Sequence, residues 1–168
     1  TTVPKTDTIA KALGLTPDQI GLGGHRPGIW QGGPVFGYAP VRDSAALSAA
    51  RPNGAAWEAL CAETGVQAWY FYTKGTTVDY TARLFAPADG IPEDPATGSA
   101  SARLAAQLLA CVGLDEGETR LDLEQGVDMG RPSQIGLRIM TKGSAIEAVF
   151  VSGSAVPVSD GFLTPPTD

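Results

Sequence analysis

The apolar positions of this chain change their period along its length. Ile9, Ala12 and Leu13 recur at helical spacing behind Thr6 and Asp7, which serve as start signals, and Gly14 is the stop. Thr16-Pro17-Asp18 opens a further brief helical turn, and the Gly-rich stretch 21–33 reads as loop. Val35 to Val41 has the make-up of a strand. Asp43 caps an Ala-rich helix that Pro52 ends, and Asn53 begins another that runs through Ala56, Leu60 and Cys61 to a stop near Gly65. From Val66 the period drops to two. Val66 to Tyr72 is dense in β-formers, with Trp69, Tyr70, Phe71 and Tyr72 expected to give one core face and one wet face. Val78, Tyr80, Ala82 and Leu84 alternate on one face of a second strand, after a Lys74-Gly75 turn signal. A Pro- and Gly-rich loop, 86–98, leads into a helix over 99–112. Strands are then expected at 119–125, 134–141 and 145–151, with a fourth at 155–158.

This order is not a regular βαβα alternation. It predicts an α+β fold with a mixed or mostly antiparallel sheet. The 99–112 helix adds a further constraint. Between Ala100 and Val112 only Ser101, Arg103 and Gln107 are strongly polar, and the apolar residues spread nearly all round. A helix of that kind is surrounded by protein. It is placed here as the buried axis of a curved sheet, with its many Ala side chains allowing close approach.

Length and composition bound the picture. The chain has 168 residues, 43% hydrophobic and 18% charged. That is enough apolar content for one self-sufficient domain, 1–168, and not a disordered composition. A lead-in segment, 1–33, and a main sheet with its central helix, 66–158, are expected within it. The net charge is −6 and no Lys/Arg cluster occurs, which argues against a nucleic-acid partner. No apolar run is long enough to span a membrane and no secretion signal is visible, so no membrane partner and a cytoplasmic location are expected. Cys61 and Cys111 are too few and too isolated for a disulfide framework or zinc site, and no metal is expected. Both read as packing residues.

The segment 85–100, Phe-Ala-Pro-Ala-Asp-Gly-Ile-Pro-Glu-Asp-Pro-Ala-Thr-Gly-Ser-Ala, carries the candidate chemistry. It is a tight loop feeding the N-terminus of the buried helix, where unpaired N–H groups and the macrodipole favour an anion. Gly98 permits close approach of a ligand to the backbone, Ser99 adds a hydroxyl, and Asp94 stands a few residues earlier as an acid or base. The plainer reading is that Thr97 or Ser99 is an N-cap and Asp94 a turn residue before Pro95. Glu93 and Asp94 are adjacent in an extended loop and should point apart, which disfavours a shared-proton pair. Arg131 is a further anion-binding candidate, although an Arg before Pro in a loop is more often structural.

The run from Gly90 to Ala100, with Tyr80 to Pro87 before it, resembles the signature of the phenazine-biosynthesis, PhzF-like isomerases. So do Glu124-Gln125-Gly126, Met129 to Ser133, and the Gly-His-Arg-Pro stretch at 24–27. The likeness is dense from about 80 to 135. The family is similar to diaminopimelate epimerases, built of two halves that each wrap a curved sheet around a central helix, with the active site between them. That architecture agrees with the placing of helix 99–112.

The resemblance implies that Asp94 contacts substrate and assists proton transfer, and that Ser99 binds the substrate carboxylate or assists the shift. These two are the expected catalytic residues; Thr97, Gly98, Ser99 and Ala100 are the expected substrate-binding set. It implies no cofactor, a small carboxylate-bearing substrate and a possible homodimer. Thr97 stands where the epimerases carry a catalytic cysteine, and neither Cys61 nor Cys111 falls at an epimerase position, so an amino-acid racemase is the least favoured alternative. The chain matches only the C-terminal half of such a protein. The family's main acid/base glutamate and its histidine belong to the other half; His25 is outside that motif and is expected to hold a loop or turn. With no Met at its start, this chain is expected to be one wall of a cleft, a C-terminal half inactive alone, whose partner is the N-terminal half of the same enzyme. The alternative is a non-catalytic small-anion-binding or scaffold domain.

Overall fold

The computed structural model describes residues 2–166; positions 1, 167 and 168 of the expected 1–168 unit lie outside the described residues. The chain begins with a helix, α1 (Thr6–Leu13), closed by Gly14 in the left-handed conformation, and a 3₁₀ turn (Pro17–Gln19). Two strands follow, β1 (Gly28–Gln31) and β2 (Val35–Pro40), then α2 (Ser44–Ala49) and α3 (Gly54–Thr64). Asp43 caps α2 by accepting from the Ala46 N–H at 2.8 Å. Next come β3 (Trp69–Lys74), β4 (Tyr80–Ala86), a 3₁₀ turn (Pro87–Asp89), β5 (Ile91–Asp94) and α4 (Gly98–Val112). The last elements are β6 (Gly117–Gln125), β7 (Ser133–Lys142) and β8 (Ala145–Ser152).

The α+β expectation holds. One mixed sheet runs β1-β2-β3-β4-β6-β7-β8, with β5 paired to β4. The β2–β3 and β4–β6 pairs are parallel and the others antiparallel. Strands near both ends of this order, β1 and β2 at one end and β7 and β8 at the other, pack on α4, so the sheet curls around that helix. Ala100, Ser101, Leu104, Ala105, Gln107 and Leu108 are buried in the curl, whereas Ala110 and Val112 reach solvent at its open side. The two buried polar residues of the helix are satisfied. Ser101 meets Tyr70 at 3.3 Å, and Gln107 accepts from the Trp30 indole at 2.7 Å.

Four expectations are corrected. The sheet extends back beyond the 66–158 span, because β1 and β2 join it. β1 lies inside the stretch read as loop; its pairing to β2 is a main-chain matter that glycines in the sequence obscure. Residues 155–158 form no strand, and 153–166 are exposed without regular structure. The β3 aromatics have no wet face. Tyr70 and Tyr72 pack toward α4, while Trp69 and Phe71 face a second core built with Ile9, Leu13, Leu47, Trp57 and Leu60 of α1–α3. The helices of the first third cover the sheet's outer face, making β3 and β4 a central layer. Opposite Trp69 in the register is Gly37, where a Cβ would collide with the indole ring, so only glycine lets β2 and β3 pair there.

Candidate active site

β4 runs into the Pro87–Asp89 turn, the chain doubles back as β5 against β4, and α4 begins after three intervening residues. This places Asp94, the last residue of β5, beside Thr97, the N-cap position of α4. The Thr97 hydroxyl donates to Asp94 Oδ2 at 2.5 Å. It does not cap the helix, which decides the plainer reading of Thr97. Ser101 N–H is the first to find an intrahelical acceptor, the Thr97 carbonyl at 2.9 Å. Among the described residues, the N–H groups of Gly98, Ser99 and Ala100 have no acceptor. An uncapped helix start of this kind offers donors and partial positive charge to an anion.

The expected site residues are therefore neighbours, though unequal in access. Gly98 and Ser99 are exposed, Asp94 and Thr97 are half-buried, and Ala100 is fully buried. Ala100 can contribute only its main chain, and its carbonyl accepts from Tyr38 Oη at 2.7 Å. Burial raises the Tyr38 and Tyr70 phenols, Tyr70 to about 12, so both stay protonated, Tyr38 as the donor to Ala100. Two recesses flank the loop. One of about 410 Å³ has Asp94 and Thr97 in its wall with Phe36, Val66, Leu84 and Ile91. The other, about 450 Å³, joins Gly98 to Ser133, Gln134, Ser152 and Ser154. The Val151 side chain touches Gly98 from β8, 3.7 Å from where a Cβ would stand.

Other candidates fall outside this cluster. His25 is buried against Tyr72 and Tyr80, its Nδ1 3.1 Å from Tyr72 Oη, with Gln107 and Cys111 alongside. That is toward the far end of α4. The His25 main chain closes a turn, its N–H on the Leu22 carbonyl at 3.0 Å, as expected, while the ring joins a buried polar network. Cys61 lies in the α1–α3 core and Cys111 in the last turn of α4. Arg131 is exposed, with its main chain held by a bond to the Gly126 carbonyl at 2.9 Å.

A family model described as phenazine biosynthesis-like protein matches residues 4–161. The chain belongs to the PhzF-like family. It is 35% identical over 161 residues to an uncharacterized isomerase of Mesorhizobium japonicum, covering 92% of this chain and 53% of the relative. It is 33% identical to a trans-2,3-dihydro-3-hydroxyanthranilate isomerase of Pseudomonas aeruginosa, covering 79% of this chain and 46% of that protein. Among solved structures, a PhzF-family phenazine biosynthesis protein of Bacillus anthracis shares the fold at a TM-score of 0.72 and 17% identity, over 88% of this chain and 55% of that one. A predicted epimerase from Pseudomonas aeruginosa follows at 0.64 and 28%, over 83% and 48%. The chain spans about half the length of the relatives it matches.

Two residues that hold this PhzF-like loop escaped the sequence reading as functional positions. Gln125, fully buried at the end of β6, donates to the Asp94 carbonyl at 2.8 Å and to Thr97 Oγ1 at 2.9 Å, and accepts from the Thr97 N–H at 3.2 Å. Its signal was present: Leu121, Leu123 and Gln125 share the inward face of β6, and a polar residue at an inward register needs a partner. Arg83 is the other. It grips Glu93 in a two-pronged pair at 2.8 and 2.7 Å and donates to the carbonyls of Leu47, Ser48 and Ala50. Glu93 is thereby drawn to Arg83 and Asp94 to Thr97, so the two adjacent carboxylates serve different partners.

Proposed function

We propose that this chain is the C-terminal half of a PhzF-like isomerase that moves a proton on a small carboxylate-bearing substrate without a cofactor. The reading is carried by one observation: Asp94 is held beside the start of α4, where three successive N–H groups are left open. The substrate carboxylate sits on the N–H groups of Gly98, Ser99 and Ala100, with the Ser99 hydroxyl beside it. A C–H bond next to a carboxylated or conjugated system gives up its proton, the electron pair shifts the double bond, and a proton returns at another carbon. Nothing is oxidised or reduced. The main acid/base group comes from the other half of the protein, which the relatives' twofold greater length supports, and Asp94 assists. On this reading the chain works in the cytoplasm as one wall of a cleft, is inactive alone, and can pair as a homodimer in its complete form.

The test uses the complete polypeptide in D₂O with trans-2,3-dihydro-3-hydroxyanthranilate, the compound in the name of the Pseudomonas aeruginosa relative, as probe. Replacing Asp94 by Asn should lower deuterium incorporation about 100-fold with little change in fold. Undiminished incorporation in Asp94→Asn would remove Asp94 from the mechanism. An amino-acid racemase finds less support, since Thr97 holds the loop position and both cysteines lie elsewhere.

A further inference from the structure

Gln125 does more than fill space at the end of β6. Its carboxamide orientation is dictated by its partners: two oxygens face Nε2 and one N–H faces Oε1. A hydroxyl has one proton to give. Because Thr97 Oγ1 accepts from Gln125 Nε2, its own proton goes to Asp94 Oδ2. The relay therefore has a direction, from Gln125 through Thr97 to Asp94.

Two consequences follow from that direction. A threonine at an N-cap position ordinarily turns its oxygen onto the second or third N–H of its helix. Here the oxygen is held away, and the Ala100 N–H stays open. The relay also fixes which Asp94 oxygen is engaged. Oδ2 is taken by Thr97, and Oδ1 accepts from no group among the described residues.

We infer that Gln125 is a positioning residue: it turns Thr97 away from capping α4 and toward Asp94, so that one side chain both leaves the helix start open and orients the carboxylate. This deepens the isomerase reading and depends on it for any effect on catalysis; the hydrogen-bond relay itself does not need turnover.

The experiment is residue-resolved amide exchange by NMR on the full chain, with Gln125→Leu, Gln125→Met, Thr97→Val and the Gln125→Leu/Thr97→Val double variant. In Gln125→Leu the Thr97 amide should exchange about tenfold faster, having lost its acceptor. The Ala100 amide should exchange more slowly, as Thr97 swings round to cap it. Leu104 and Leu108, deeper in α4, should follow only the global stability measured by urea unfolding. In the double variant the slowing at Ala100 should vanish, because no hydroxyl remains to cap. If Gln125→Leu does not fold, Gln125→Met serves: it keeps the length of the side chain with no N–H donor and no oxygen, so the Thr97 amide should speed and the Ala100 amide should slow as in Gln125→Leu. Unchanged Ala100 exchange in both Gln125 variants, or a change no larger than that at Leu104, would overturn the assignment. Because exchange is read without substrate, it can fail while the isomerase reading stands, and the reverse.

Discussion

Arg83 offers the sharpest test of how the site loop is anchored. Its side chain is 2% exposed and Glu93 is 13% exposed, so the pair is largely removed from water. Truncating it to Met leaves a half-buried carboxylate without its two-pronged partner. It also strips a donor from three carbonyls at and just beyond the end of α2. Breaking a buried pair from one side costs about 3–5 kcal/mol, because the remaining charge is uncompensated. The Met side chain recovers some packing over the Phe85 ring, which the guanidinium covers at 4.8 Å, so the lower half of that range is expected. With a urea slope of roughly 2 kcal/mol/M, the unfolding midpoint should fall by roughly 1.5–2 M. Glu93→Gln keeps an acceptor and should cost about half as much. The Arg83→Met/Glu93→Leu double variant should recover part of the loss, a coupling of about 1–3 kcal/mol. Additive effects of the two single changes, or a loss under about 1 kcal/mol for Arg83→Met, would show that the pair does not anchor β5.

Two further outcomes can be checked on the same chain. His25 is held neutral: burial lowers its pKa from the ordinary value, and the Lys74 charge lowers it further. The unfolded chain therefore takes up this proton first as pH falls through about 6.5, and stability is lost by up to about 1.4 kcal/mol per pH unit until the folded form also protonates. Urea midpoints at pH 7.5, 6.5 and 5.5 should fall more steeply for the natural chain than for His25→Gln; parallel curves would dismiss the effect. Gly126 has φ +80°, and a Cβ there would stand 2.9 Å from the Pro95 carbonyl and closer still to that of Arg131. Gly126→Ala should cost about 3 kcal/mol from strain and collision together and should shift the NMR signals of residues 94–97, whereas an unshifted loop would show that the turn yields freely.

The helix-in-a-curl architecture was legible because α4 is apolar on too many sides to be a surface helix, with only Ser101, Arg103 and Gln107 strongly polar between Ala100 and Val112. β6, β7 and β8 were legible as strands punctuated by glycine. What escaped was set by contacts distant in sequence. No local pattern tells Trp69 and Phe71 that α1–α3 will cover them, so a strand with both faces buried looks like a strand with one wet face. β1 and β5 are four residues each, and their Gly and Pro content reads as turn until a neighbouring strand supplies the ladder.

The site shows the same division. Asp94, Gly98 and Ser99 were singled out because a loop entering a buried helix announces an anion-friendly end in the sequence itself, and Thr97 and Ala100 joined them as expectations from the family resemblance. Their arrangement was not legible there, since a threonine before a helix is indistinguishable in sequence from an ordinary cap. The difference is made 28 residues later by Gln125, which competes with the helix for the Thr97 oxygen and wins by offering two donors and an acceptor at once. Arg83, ten residues before Glu93, completes the fixation by pulling that carboxylate the other way. The loop is thus held on both sides by the buried Gln125 and Arg83, while the N–H groups of the exposed Gly98 and Ser99 are left open. That asymmetry sets this loop apart from an ordinary capped helix start, and it rests on residues that no reading of the loop alone would include.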